Sequence, residues 1–279
     1  MPLIDTHAHL NFNAYKDDID EVVKRSLNNN IWMINVGSQY ETSKKAVEIA
    51  KRYPEGVYAA IGVHPIHLAE GIFKVKLDTE EQAFQTKNEN FDYEKYKELA
   101  KKEKVVAIGE IGLDYYYRPK TKRKLEQFKK RQRTVLCQQL ELAKELNLPV
   151  VFHCRMAHDD LIEVLKLKIK NEKLKIDGVI HCFTGNWEQA QEFLKMGFYL
   201  GFNGIIFKLN LDKIIKKTPL DKILIETDCP YLTPPNLKEQ RNEPLFVKYV
   251  AEKIAKIKKI SYEEIAEITT NNAKKLFNF

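Results

Sequence analysis

Five of the seven histidines in this 279-residue chain, His7, His9, His64, His153 and His181, stand at the ends of short runs that read as strands. Two carboxylates, Glu110 and Asp228, stand in the same way. In Asp5-Thr6-His7-Ala8-His9 the i, i+2 spacing turns both imidazoles to one side of an extended chain. Neutral imidazole and carboxylate are the donors that zinc, manganese and other divalent ions accept, and four histidines with two carboxylates exceed one tetrahedral site. The set therefore predicts two divalent ions, with Mg2+, Mn2+ and Zn2+ all open. His7, His9, Glu110 and Asp228 would hold one, and Glu110, His153 and His181 the other, with Glu110 bridging. Water held between two such cations loses a proton near neutral pH and becomes a nucleophile, and Asp228 is placed to be the base that takes the proton. Formal counting leaves such a cluster with about one positive charge in excess, which suits a phosphodiester. Any one of these residues alone would pass for a structural strand end; only the set points to a metal centre.

The elements that must position them follow from apolar periodicity. Strands are expected at Leu3–Thr6, Ile31–Val36, Val57–Val63, Val105–Gly109, Pro149–Phe152, Gly178–Ile180, Phe198–Gly201 and Ile223–Glu226, separated by segments of helical period such as Leu136-Leu140-Ala143-Leu146. Eight strands alternating with helices predict a (β/α)8 TIM barrel, a single domain over 1–279, with the chemistry at the C-terminal strand ends. A doubly wound sheet would call for a Gly-x-Gly-x-x-Gly turn or a phosphate loop, and neither is present. Pro65–Asp92 reads as an extended loop and Lys120–Leu148 as one long helix; Leu237–Asn242 is a polar turn, and 244–258 and 261–276 are closing helices. His67 and His158 are expected to face solvent. Cys154, Cys182 and Cys229 each follow a candidate ligand, so alternation should turn them toward the helices as small buried residues.

With 44% hydrophobic and 30% charged residues the chain can bury a sizeable core. Its first residues lack the charged and apolar regions of a leader, and no apolar run is long enough to span a membrane. The four cysteines form no Cys-x-x-Cys pair, which fits a reducing compartment, so a cytoplasmic location is expected. A net charge of +7 hints at an anionic partner. The segment YYYRPKTKRKLEQFKKRQR, 115–133, places aromatic rings beside cations at the expected mouth. That is how a single-stranded nucleic acid is stacked and held, and Tyr115, Arg118, Lys122, Arg123 and Lys124 are its candidate contacts. Cations at a helix N-terminus oppose the macrodipole, a cost easier to bear with an anion nearby.

Asp5-Thr6-His7-Ala8-His9, GVHP at 62–65, AIGEIGLDYYY at 107–117, LPVVFHCR at 148–155, HCFTG at 181–185, ETDCPYLTP at 226–234 and RNEP at 241–244 run in one order along the chain. Together they resemble the TatD family of metal-dependent deoxyribonucleases, among the amidohydrolase-type barrels. The resemblance implies a (β/α)8 fold, two divalent metals and hydrolysis of DNA phosphodiester bonds with 3′ to 5′ exonuclease activity. It carries metal-ligand roles onto the same six residues, and it puts His64 and Arg155 where a donor or cation meets a phosphate. The chain departs from the family pattern at Lys238-Glu239, where relatives carry Arg-Gly, so the planar guanidinium fork and the glycine's backbone freedom are lost. The fold alone leaves two other chemistries open: hydrolysis of a small ester, amide or lactone, and hydrolysis of aminoacylated tRNA. A nucleic-acid binder without turnover would tolerate loss of ligands, and none is lost.

Overall fold

The computed structural model describes residues 1–69, 89–172 and 175–279. Each expected strand forms: β1 (Leu3–Ala8), β2 (Ile31–Val36), β3 (Val57–Ile61), β4 (Val105–Asp114), β5 (Val150–Arg155), β6 (Gly178–Ile180), β7 (Tyr199–Phe202) and β8 (Ile223–Ile225). Neighbours pair parallel in sequential order. The sheet closes where Asp228 N–H donates to the His7 carbonyl (2.8 Å) and His9 N–H to the Cys229 carbonyl (2.9 Å). This is a (β/α)8 barrel. Around it lie α1 (Ile19–Asn28), α2 (Tyr40–Ala50), α3 (Tyr93–Ala100), α4 (Lys122–Leu146), α5 (His158–Glu172), α6 (Trp187–Lys195), α7 (Asp212–Lys217), α8 (Val247–Lys258) and α9 (Tyr262–Phe277). Among the described residues no helix is long and apolar enough to cross a membrane.

Inward side chains of the strands, among them Ile4, Ile34, Val106, Val151, Val179 and Leu224, fill the barrel. Ala273, Leu276 and Phe277 of α9 join that cluster, and Phe279 stacks on Tyr58 with centroids 4.0 Å apart. The chain's end thus plugs one end of the barrel and leaves the other for the polar residues. Helices keep their apolar stripes on the sheet and end where capping chemistry appears. Asn186 and Gln189 form a reciprocal box at the start of α6, with Gln189 N–H on Asn186 Oδ1 (2.8 Å) and Asn186 N–H on Gln189 Oε1 (3.0 Å). That box turns the chain away from the mouth after HCFTG.

Several boundaries differ from the sequence reading. β4 runs four residues beyond Glu110, and β5 continues through His153 to Arg155, whereas β3 stops at Ile61. The long helix is real but spans Lys122–Leu146, ending at Asn147 in the left-handed region. In the expected Pro65–Asp92 loop, Pro65–Leu68 form a 3-10 turn, and the Glu89 carboxylate accepts from Tyr40 N–H (2.8 Å) and Tyr96 O–H (2.5 Å). Residues 70–88 of that loop lie outside the described residues.

The inner face of α4 does more than pack. Gln132 accepts from Asp114 N–H (2.9 Å) and donates to the Asp114 carbonyl (3.0 Å). Seven residues on, Gln139 does the same for Val63, at 2.7 and 3.1 Å. Both glutamines are buried, so one helix closes the backbone hydrogen bonds at the ends of two strands that lead into the mouth.

Candidate metal centre

Two bulges aim the side chains. The β1–β2 register shifts between Asp5 and Ala8, and the β4–β5 register between Gly109 and Ile111, so His7 and Glu110 turn into the barrel at the point where pairing is locally broken. His7 Nε2 and His9 Nε2 meet at 3.1 Å. Glu110 Oε2 is 3.5 Å from the first, and Asp228 Oδ1 is 3.3 Å from the second. The other oxygen, Glu110 Oε1, faces a different group: His153 Nδ1 at 2.6 Å, His64 Nε2 at 3.6 Å and His181 Nε2 at 3.9 Å. Asp228 Oδ2 is 3.8 Å from His181 Nε2. All six residues expected to be ligands are thus brought together: Glu110 Oε2 faces His7 and His9, Oε1 faces His153, His64 and His181, and Asp228 reaches both sets through its two oxygens.

Hydrogen bonds behind the rings fix which nitrogen offers a lone pair. His9 Nδ1 is 2.8 Å from the Val36 carbonyl, which can only accept, so Nδ1 carries the proton and Nε2 faces the cluster bare. His181 Nδ1 lies 2.9 Å from Glu226 Oε1, an ion-pair contact that favours the protonated ring. His64 is the reverse of His9: its Nδ1 accepts from Ile66 N–H at 3.0 Å, so Nε2 bears a proton toward Glu110. His9 thus presents a lone pair beside two carboxylates, which is what a divalent cation requires, while His64 presents a donor, which suits a phosphate oxygen.

Charge divides the histidines differently. Burial, together with His181, lowers His7, and burial with His153 lowers His64 well below the ordinary range. Burial also works against protonated His153 and His181, but carboxylates override it. Glu110 and Asp114 hold His153 up at about 9, and Glu226 and Asp228 hold His181 up at about 10. Against burial, the imidazoles keep Glu110 and Asp228 below their usual values. Protons and metal ions compete for these lone pairs.

Two supporting carboxylates complete the centre. Glu226, one layer deeper than Asp228, also accepts from Cys182 N–H (2.7 Å) and Asn203 Nδ2 (3.3 Å). It fits because residue 201 is glycine; a Cβ there would lie 2.6 Å from Glu226 Oε2. Asp114, which the sequence reading missed, has Oδ2 3.1 Å from His153 Nε2. The signal was available: Glu110, Gly112 and Asp114 alternate along one strand face, but only once β4 is allowed to continue.

Some expectations are corrected. His67 and His158 are buried, not solvent-facing: His67 sits in the 3-10 turn near Ser38 Oγ (3.4 Å), His158 packs edge-on to Phe183, and burial lowers each to about 4. Cys182 is half-buried and lines the mouth, its Sγ within 4.8 Å of ligating atoms of His181 and Asp228. Strand alternation no longer applies to it, because β6 ends at Ile180 and Cys182 turns to φ 45°. Cys154 is buried but also contributes to the mouth's wall, and Cys229 is buried as expected. Tyr115 is buried too: its hydroxyl donates to Asp160 Oδ2 (2.8 Å), so it offers no stacking face. Lys129 and Arg133 of the basic segment pair with that same Asp160, at 3.3 and 2.7 Å. Arg118, Lys122, Arg123 and Lys124 are exposed beyond the cavity lining. Arg155 does line it, as do His64 and Tyr116. Lys238 and Glu239 are exposed, whereas the following RNEP motif is a clasp. Arg241 covers the Tyr15 ring at 4.0 Å, Asn242 Nδ2 donates to the Thr227 carbonyl (3.1 Å), and Glu243 pairs with Arg25 (2.7 Å).

The family model for TatD related DNase matches residues 4–278. The chain belongs to the TatD family. Among its relatives, the uncharacterized metal-dependent hydrolase YabD of Bacillus subtilis is 42% identical over 99% of this chain and 98% of its own length. The 3′-5′ ssDNA/RNA exonuclease TatD of Erwinia tasmaniensis is 31% identical over 99% of this chain and all of its own. The crystal structure of YJJV, a TatD homologue from Escherichia coli K12, superposes with a TM-score of 0.81 at 29% identity, covering 99% of this chain and 98% of that one. This TatD-family chain is a metal-dependent hydrolase on a (β/α)8 barrel.

Proposed function

We propose that this hydrolase is a deoxyribonuclease that removes nucleotides from the 3′ end of single-stranded DNA with two divalent ions. The observation that carries the reading is the division of donors about Glu110, whose two oxygens face separate sets of nitrogens. His7, His9, Asp228 and Glu110 Oε2 would hold one ion, and His153, His181 and Glu110 Oε1 the other. When bound, the ions supply Lewis acidity to phosphate oxygens and acidify water. Asp228 is the more accessible of the two carboxylates, 16% against 5%, and accepts the proton of the attacking water. His64 donates through Nε2, and Arg155 adds a fixed positive charge on the wall of the cavity. The exposed Arg118, Lys122, Arg123 and Lys124 meet the strand farther out. The exonuclease named from Erwinia supports this class of substrate. A 5′-end-labelled single-stranded oligonucleotide, incubated with protein that has been chelated and then resupplied with Mn2+, should shorten stepwise from its 3′ end. Turnover of small esters or lactones with the oligonucleotide left intact would replace this reading with the small-molecule one.

A further inference from the structure

Few large apolar side chains are exposed among the described residues, and two of them, Tyr116 (46%) and Leu209 (45%), line the same cavity of about 540 Å³ above the histidines. Tyr116 is exposed without being loose. The Arg155 guanidinium lies 3.6 Å from its ring centroid, Tyr117 meets it edge-on at 4.8 Å, and its N–H donates to Asp114 Oδ1 at 2.8 Å. Asp114 Oδ2 in turn touches His153, so a single residue links the exposed ring to the candidate metal centre. Ile205 and Leu232 extend the apolar wall on Leu209's side.

A flat ring, a cation over one of its faces and an apolar wall, all on the same cavity, describe a slot for a planar aromatic group attached to an anion. We infer that Tyr116 and Leu209 form a seat for one unpaired nucleobase, that of the 3′-terminal nucleoside, and that this seat sets the register of its phosphate over the ligands. The inference rests on the nuclease reading and goes beyond it by naming what the rim recognises. A cavity of this size falls within the range that encloses a small ligand. A paired terminus would have to fray before its last nucleotide could enter. Because every base has a π-face, the seat is tolerant of sequence and favours the larger purine surface. The buried Tyr115 cannot serve, and Tyr116 takes the role that the sequence reading gave to its neighbour.

The test compares two oligonucleotides with identical phosphodiesters, one ending in 3′-adenosine and one in a tetrahydrofuran residue that has no base. The wild-type kcat/KM should be about tenfold or more higher on the first, the size of one base stack. Tyr116→Ala should bring the ratio close to one, and Tyr116→Trp should restore it. A wild-type ratio near one, or a full ratio retained in Tyr116→Ala, overturns the seat while leaving the nuclease intact. If the wild type cuts neither oligonucleotide, the nuclease reading itself fails and the seat falls with it.

Discussion

Asp228 carries the heaviest demand of any single residue, since it must both lend an oxygen to the centre and accept a proton. Its left-handed backbone, φ 59°, and the bond from its N–H to His7 hold the carboxylate at the closure of the barrel, between His9 and His181. Asp228→Asn keeps the shape and one coordinating oxygen but not the basicity. Turnover should fall roughly a hundredfold or more, with metal content retained by elemental analysis. Near-normal turnover in that variant would remove the assignment of the base. The six candidate ligands were legible because histidines and carboxylates gathered at strand ends, a pattern that chance placement does not give. Asp114 was not legible, because a strand end cannot be read to the residue from apolar pattern alone. Burial of His67 and His158 was hidden as well, since a lone polar side chain carries no mark of the loop or ring that will cover it.

Helix α4 shows how an element can serve two ends of a site. Its inner face holds Gln132 and Gln139, which close the backbone at Asp114 and Val63. Gln132→Ala strands a buried donor and a buried acceptor, each costing about 1–3 kcal/mol, so chemical denaturation should show a loss of about that size or twice it. An unchanged midpoint would mean that water replaces the amide. The sequence marked α4 by its apolar period but said nothing of the glutamines, because a buried amide looks like a surface one until its partners are known. The outer, N-terminal turn bears Lys122, Arg123 and Lys124 with no acidic residue in that turn. Changing all three to glutamine should raise KM for oligonucleotides and make the salt dependence of binding shallower by about two units, at about 0.7 per phosphate contact on single strands. The original salt slope would reduce this turn to a solvated face.

At the scale of the whole molecule, the barrel separates stability from chemistry. α9 plugs one end with Phe277, and Phe279 beyond it stacks on Tyr58, while bulges in β1 and β4 and the closure of β8 on β1 gather the polar groups at the other. This architecture was legible almost entirely, because eight short apolar runs spaced by helical segments admit few parallel arrangements. Two ions, shared across Glu110, are proposed to make this centre work on DNA. Metal-stripped protein titrated with Mn2+, with 3′ shortening of an end-labelled single-stranded oligonucleotide followed at each addition, tests this proposal most directly. Activity should stay low through the first equivalent and level off at two ions bound per chain. Full activity with one ion bound, or no shortening at any occupancy, would contradict it.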